Sequence, residues 1–303
     1  MNPEISLVFC SRTSQLPVSL IDNIEKTIGC SYELIVIDNS LTQFSITEAY
    51  QTGFERSKGI FLAFLHDDIA FRSQDWGLRL KEHLSVPGTG ICGIGGRDTL
   101  VRVPSSWNVS LPYIHLVQSD KTRGSTKIKH RPVGFTGSKL PVIMLDGVML
   151  CMHRELMNHI RFDTGLKGFH AYDFDTCIRA SAAGFQNYVM YNVDIEHFSK
   201  GTPDKSYYRG LIQVFKKHKD RLPLSVSKLN NLQQNKLEKE GLNRLIRKMI
   251  LKGFETDEIM QTYSDFYDLI FKKNKNRLNF RCKRTLLLVN IAILRTIAPL
   301  ISR

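Results

Sequence analysis

The stretch that most restricts this chain is Gly59-Ile-Phe-Leu-Ala-Phe-Leu-His-Asp-Asp-Ile-Ala-Phe71. From Ile60 to Leu65 it is apolar without alternation, which predicts a strand buried on both faces, as in a parallel sheet between helical layers. The run ends on His66, Asp67 and Asp68, at the carboxyl end of the strand, where open α/β sheets hold ligands. Adjacent carboxylates repel, and burying both without a cation is costly. A hard divalent ion such as Mg2+ or Mn2+ would remove the conflict. The plainer alternative is a strand end whose aspartates start a turn or cap a helix.

The preceding residues supply the neighbours such a strand needs. Ile5 to Cys10 reads as a first buried strand ending at Ser11-Arg12-Thr13, and Tyr32 to Ile37 as a second ending at Asp38-Asn39-Ser40. Between them, Leu16, Leu20, Ile24 and Ile28 recur at helical spacing before Gly29. Ile46 to Ser57 predicts another helix. Strand, helix, strand, helix, strand makes a right-handed parallel unit. Ser11/Arg12, Asp38/Asn39 and His66/Asp67/Asp68 should therefore line one crevice. No GxGxxG follows the first strand and no GxxxxGK[ST] occurs, which argues against a dinucleotide fingerprint and a phosphate loop.

Further along, Asp146-Gly147 interrupts the apolar run Pro141–Cys151, and a carboxylate there needs a partner or a chemical role. Asp173 to Ala183 predicts a helix closed by Gly184, with Asp173 and Asp175 in its first turn. Capping is the default for one of them, and Asp175 has Arg179 at i,i+4, which gives it the structural role. His197 ends a short apolar segment, and Ser199 and Lys200 lie in a loop suited to phosphate oxygens. The glycines of Ile91–Gly96 favour close backbone packing over a phosphate cradle. Residues 102–139 read as a variable insertion with short strands at Tyr113–Gln118 and Thr126–Lys129, and Trp107 as a sugar platform or a local anchor.

Taken in order, these segments resemble the family 2 glycosyltransferases of the GT-A fold, and most closely the streptomycin-biosynthesis type. The resemblance rests on Tyr32-Glu-Leu-Ile-Val-Ile-Asp-Asn39, Ala49-Tyr-x-x-Gly53, Lys58-Gly59, Phe64-Leu-His-Asp-Asp-Ile69 and Trp76. It continues through Leu145-Asp-Gly147, Phe169-His-Ala-Tyr-Asp-Phe-Asp175 and His197-Phe-Ser-Lys-Gly201. It implies a GT-A-like, mostly parallel sheet flanked by helices over residues 1–205 and an inverting, metal-dependent transfer of sugar from a nucleotide-diphosphate sugar. Asp38 then resembles the carboxylate that holds the base, with Ser11 and Arg12 beside it. His66-Asp67-Asp68 resembles the metal-binding DxD motif, with His66 where the first Asp stands. Asp68 is the favoured metal ligand, with Asp67 a second candidate for the ion and otherwise on the ribose or a metal-bound water, and His66 goes with the nucleotide-sugar residues. His197 completes the metal or diphosphate site, and Asp146 borders donor and acceptor sugars. Asp173 aligns with the catalytic base, with Tyr172 where a glutamate often stands. Mn2+ or Mg2+ is the implied cofactor, and surface polysaccharide or glycoconjugate synthesis the implied setting.

Charge divides the chain. Residues 1–205 carry 21 Lys+Arg against 21 Asp+Glu, while residues 206–303 carry 21 against 8, so the whole excess of +13 lies in the last third. We expect a basic helical region over 206–303, with helices at Tyr207–Lys219, Asn235–Lys252, Asp257–Phe271 and Arg281–Leu300. The last is apolar with basic flanks and somewhat short for a span, which fits a helix lying on an anionic membrane or a homodimer contact. Nucleic acid is not an expected partner, because no helix-turn-helix or zinc pattern is present. The six cysteines form no CxxC pair, and no charged-then-apolar leader opens the chain, so a cytoplasmic, reducing location is expected, peripheral on the inner face of the membrane. Two other classes fit parts of the pattern: an inert nucleotide-binding or membrane-tethered scaffold, and a sugar nucleotidyltransferase. The second should carry a glycine-rich loop after the first strand, where Ser11-Arg-Thr-Ser14 stands instead.

Overall fold

The computed structural model describes residues 2–105, 113–120, 124–199 and 201–271. Trp107, Lys200 and the segment 281–303 therefore lie outside the described residues. The chain opens with β1 (Ile5–Ser11), α1 (Val18–Thr27), β2 (Tyr32–Asp38), α2 (Ile46–Arg56), β3 (Phe61–Leu65), β4 (Ile69–Phe71) and α3 (Trp76–Leu84). Then come β5 (Thr89–Gly93), β6 (Gly95–Arg97), β7 (Thr99–Leu100), β8 (Tyr113–Asp120), β9 (Gly124–His130), β10 (Lys139–Val142), β11 (Met144–Leu145) and β12 (Met149–His153). The remainder is α4 (Leu156–His159), α5 (Tyr172–Ala182), β13 (Gln186–Met190), β14 (Ile195–His197), α6 (Lys205–Lys217), β15 (Leu224–Ser225), α7 (Asn231–Leu251) and α8 (Thr256–Phe271).

The principal sheet has the order β10-β13-β5-β12-β3-β1-β2. β2, β1 and β3 run parallel, as do β5 and β13, while β12 and β10 run against them. The strands dictate the layering. Along β3, Phe61, Ala63 and Leu65 join one core with Leu20, Ile24, Trp76 and Leu80 of α1 and α3. The alternate residues Leu62 and Phe64 join another with Ala49, Tyr50 and Phe54 of α2 and Cys177 and Ala180 of α5. A run that is apolar at every position is what two helical layers demand. Trp76 stacks on Phe71 with ring centroids 3.7 Å apart, and its indole N–H donates to Thr27 Oγ1 at 3.1 Å. Helix α2 begins on a capping box, in which Ser45 and Glu48 satisfy each other's backbone N–H groups.

A second sheet, β11-β6-β8-β14-β4 with β9 beside β8, grows from the same strand ends. Its glycine strand β6 is packed against backbone: a Cβ at Gly96 would collide with the Met144 carbonyl. The cysteines at 10, 30, 92, 151 and 177 are all free thiols.

The chain divides into two compact units. The first comprises Met1–Thr99, Trp107–Thr202 and Leu224–Ser227, and the second Leu100–Ser106, Pro203–Pro223 and Lys228–Arg303. In the second unit Leu211 and Phe215 of α6, Leu245 and Met249 of α7, Phe266 of α8 and Phe254 in the turn before α8 are buried. Within it Glu238, fully buried on α7, accepts from Arg102 Nε and from a terminal nitrogen of the same guanidinium, both at 2.7 Å. Among the described residues no helix is long and apolar enough to cross a membrane.

Candidate active site

The carboxyl ends of β1, β2 and β3 share one edge. Ser11 lies opposite Asp38, and Phe9 opposite Leu65, directly before His66. The backbone N–H of His66 donates to the Val148 carbonyl at 3.1 Å, which brings the turn 146–148 to the same edge. The turn 66–68 then splits its three side chains by direction. Asp67 faces β1, where Ser11 Oγ donates to its Oδ2 at 2.8 Å. His66 and Asp68 face the other way, toward His197 at the end of β14, which pairs with Ile69 of β4.

His66, Asp68 and His197 each offer a ligand atom, and these atoms lie within 4.8 Å of one another. Asp68 Oδ1 stands 3.4 Å from His197 Nε2 and 3.8 Å from His66 Nδ1. That oxygen is buried, and no donor reaches it with good hydrogen-bond geometry among the described residues. An orphaned carboxylate oxygen between two imidazoles costs free energy unless something positive joins it. Two nitrogens and one oxygen on a shared centre form a donor set that fits a divalent ion. Burial pushes the Asp68 carboxyl up, but polar contacts with His197 and Ser199 and the two neighbouring imidazoles hold it well below the ordinary carboxylate range. Burial lowers the His66 imidazole more than the Asp68 and Asp146 carboxylates raise it, which favours the neutral ring.

Behind this group stands Tyr172, the first residue of α5. Its hydroxyl donates to the Gly147 carbonyl at 2.9 Å and lies 3.2 Å from His66 Nε2. Ala171, which precedes the helix, takes a left-handed conformation (φ 63°), a strained backbone for alanine. Asp173 follows, half-buried, accepting from the Phe174 backbone N–H at 3.0 Å. Burial and the negative charge of Asp146 raise its carboxyl to about 7, against the pull of backbone N–H groups that include Gly147. Asp146 therefore acts on both His66 and Asp173, which ties the His-Asp-His group and the raised carboxyl to one locality. Asp146 accepts in turn from the Val148 N–H at 3.0 Å.

The other residues singled out in the sequence fall as follows. Asp38 is exposed and accepts from the Ser40 N–H at 2.9 Å, whereas its neighbour Asn39 is buried and ties the loop to Phe44. Arg12 is exposed beside Ser11. Ser199 is exposed with its hydroxyl 3.3 Å from His197 Nε2. Asp175 is buried and paired with Arg179 at 2.8 Å. Lys58 precedes β3 and so lies at the opposite edge of the sheet, held by its backbone to Glu33. Asp67 is not among the three clustered ligands, and His66, placed by the sequence with the nucleotide-sugar residues, is. No local signal in the sequence marks this, because residues 66–68 form a turn between β3 and β4 and not an extended strand.

Residues 6–218, the greater part of the chain, match the family model described as "Glycosyltransferase like family". The chain belongs to this family. A search of curated proteins found no match. Among solved structures this glycosyltransferase-like chain is similar to a crystal structure of GalNAc-T7 with UDP, GalNAc and Mn2+ (TM-score 0.50, 11% identity, over 88% of this chain and 57% of that one). The match thus spans little more than half of GalNAc-T7. A mannosyltransferase, PcManGT from Pyrobaculum calidifontis in complex with GDP-Man and Mn2+, matches with TM-score 0.48 and 13% identity, over 98% of this chain and 88% of that one. The first likeness shows the fold, a mixed α/β sheet flanked by helices as in GT-A glycosyltransferases.

Proposed function

We propose that this glycosyltransferase-like protein is an inverting, metal-dependent enzyme moving a sugar from a nucleotide-diphosphate sugar to an acceptor hydroxyl. The observation that carries the reading is the pairing, at one sheet edge, of a His-Asp-His ligand group with a carboxyl raised to about 7. A general base works best with a pKa near the working pH. Asp173 takes the proton as the acceptor oxygen bonds to the anomeric carbon, and the bond from that carbon to the diphosphate oxygen breaks on the opposite face. Attack from that side inverts the centre.

Asp68 and His197 would hold the cation, with Mn2+ or Mg2+ in view; a bound divalent ion supplies Lewis-acid stabilisation of the charge on the leaving diphosphate. Asp67, oriented by Ser11, takes the ribose, and Asp38 with Arg12 takes the base. Ser199, beside Asp68, and Lys200 contact phosphate oxygens. A protein of the same fold has been crystallised with UDP and Mn2+, which is compatible with this division of labour. The narrower likeness to streptomycin-biosynthesis enzymes, a role in surface glycoconjugates, and a cytoplasmic position on the inner face of an anionic membrane through 281–303 belong to the same proposal. So does the division into a catalytic 1–205 and a basic 206–303.

A screen of nucleotide sugars for hydrolysis with Mn2+ and with Mg2+ identifies the donor without the acceptor. We expect one donor to turn over, and Asp68→Ala or Asp173→Asn to abolish transfer while leaving the circular dichroism unchanged. Full activity in either variant refutes the assignment; nucleotide binding without turnover marks an inert scaffold.

A further inference from the structure

This inference rests on the metal site proposed above and concerns what His66 and Tyr172 do there. Both stand where the family pattern has a carboxylate, and in space they touch, His66 Nε2 to Tyr172 Oη at 3.2 Å across 106 positions of sequence. The direction of that contact can be worked out. The Gly147 carbonyl can only accept, so the Tyr172 proton is committed to it at 2.9 Å. Toward His66 the phenol oxygen is then the acceptor, and Nε2 must carry the hydrogen. In a neutral imidazole this leaves the lone pair on Nδ1, the atom that faces Asp68 Oδ1 at 3.8 Å. Gly147 is built for the arrangement, because a Cβ there would collide with the Tyr172 hydroxyl.

We propose that His66 Nδ1 is a third metal ligand, that Tyr172 is the positioning residue that fixes its tautomer, and that the resulting two-nitrogen, one-oxygen set selects transition ions over Mg2+. An outer partner that holds a ligating histidine by its second nitrogen is a general feature of metal sites. Imidazole suits Zn2+, Cu2+, Fe2+ and Ni2+, and Co2+ stands above Mn2+ in the general affinity order, whereas carboxylate-rich sites suit Mg2+ and Mn2+. Replacing the first aspartate of the motif by His66, and the glutamate by Tyr172, exchanges two negative charges for a neutral pair that works only in combination. Asp67, turned to Ser11, stays with the donor and adds no ligand.

The test reads metal binding, not turnover. Mn2+, Co2+ and Mg2+, each alone, are titrated by calorimetry into the full chain and into His66→Ala, His66→Asp and Tyr172→Phe, and pulsed electron paramagnetic resonance of the Mn2+ form counts directly bound nitrogens. The expected results are Co2+ bound well ahead of Mg2+ with Mn2+ between them, two bound nitrogens in the unmodified chain and one in His66→Ala. Tyr172→Phe, which removes only the hydroxyl, should weaken Co2+ by about 10-fold, at the low end for loss of an outer partner. His66→Asp should move the preference toward Mg2+ by a similar factor. One nitrogen in the unmodified chain, with affinities indifferent to residue 66, overturns this inference and leaves the transferase reading standing. Failure of all three ions to bind overturns both.

Discussion

Asp173→Asn separates a working carboxylate from a structural one, because a base held near neutrality costs the fold stability. In the unfolded chain this carboxyl titrates near 3.8, and in the folded protein near 7. Below 3.8 both states hold the proton and the substitution should be nearly neutral. As pH rises toward 7 the unfolded chain releases the proton while the folded one keeps it, so the wild type loses stability, and above 7 the loss is complete. A difference of about three pH units corresponds to about 4 kcal/mol. Asp173 is half-buried, and solvent screening reduces the figure to about 2 kcal/mol. Asparagine keeps an oxygen for the Phe174 N–H and removes the charge facing Asp146. We therefore expect Asp173→Asn to melt about 4–8 °C higher than wild type at pH 8. At pH 4 the two should coincide, and at every pH the variant should transfer no sugar. Scanning calorimetry across pH gives the first result and donor turnover the second; wild-type transfer should rise with pH through about 7. A variant that melts no higher at pH 8, or whose advantage does not grow with pH, refutes the raised carboxyl.

Two further outcomes follow from packing. Gly147→Ala puts a methyl on the Tyr172 hydroxyl, which is pinned between the Gly147 carbonyl and His66. Denaturant melts should show a loss of about 1–3 kcal/mol, and Co2+ affinity should fall with it; an unchanged midpoint and affinity would mean the tyrosine is free to move. Glu238→Ala strips the partner from Arg102 in the second unit, where Glu238 is fully buried and also accepts from Gln234 at 3.0 Å. Breaking such a pair costs about 3 kcal/mol, measurable as lost helical ellipticity on heating, and a change under about 1 kcal/mol would show the pair to be dispensable.

How much of this the sequence discloses depends on the range of the interaction. The opening unit is legible because its signals are local: β1, β2 and β3 are uninterrupted apolar runs, and α1 carries Leu20 and Ile24 one turn apart between Pro17 and Gly29. Helix α5 is legible up to its first turn. What is hidden is non-local. Pro141–Cys151 reads as one interrupted strand, yet nothing in those residues says that it divides into three, or that its last part, β12, runs antiparallel between β3 and β5. In sequence Asp146 is an interruption in an apolar run; its charge acts on His66 and Asp173 only because the sheet brings three distant segments to one edge. His66 is the instructive case. The resemblance puts it with the donor, whereas the turn, with one residue between His66 and Asp68, sets both toward His197 and sets Asp67 toward Ser11.

That spacing has a consequence for how such a protein can diversify. Asp67 looks toward β1 while His66 and Asp68 look toward β14, so a single turn sends its side chains to opposite flanks of its backbone. On the proposed assignment, drift at position 66 retunes which ion is admitted and leaves the grip on the nucleotide alone, while drift at 67 does the reverse. Loss of one residue between Leu65 and Ile69 would break up the His66, Asp68 and His197 grouping. On that assignment the length of this turn matters as much as the residues that fill it.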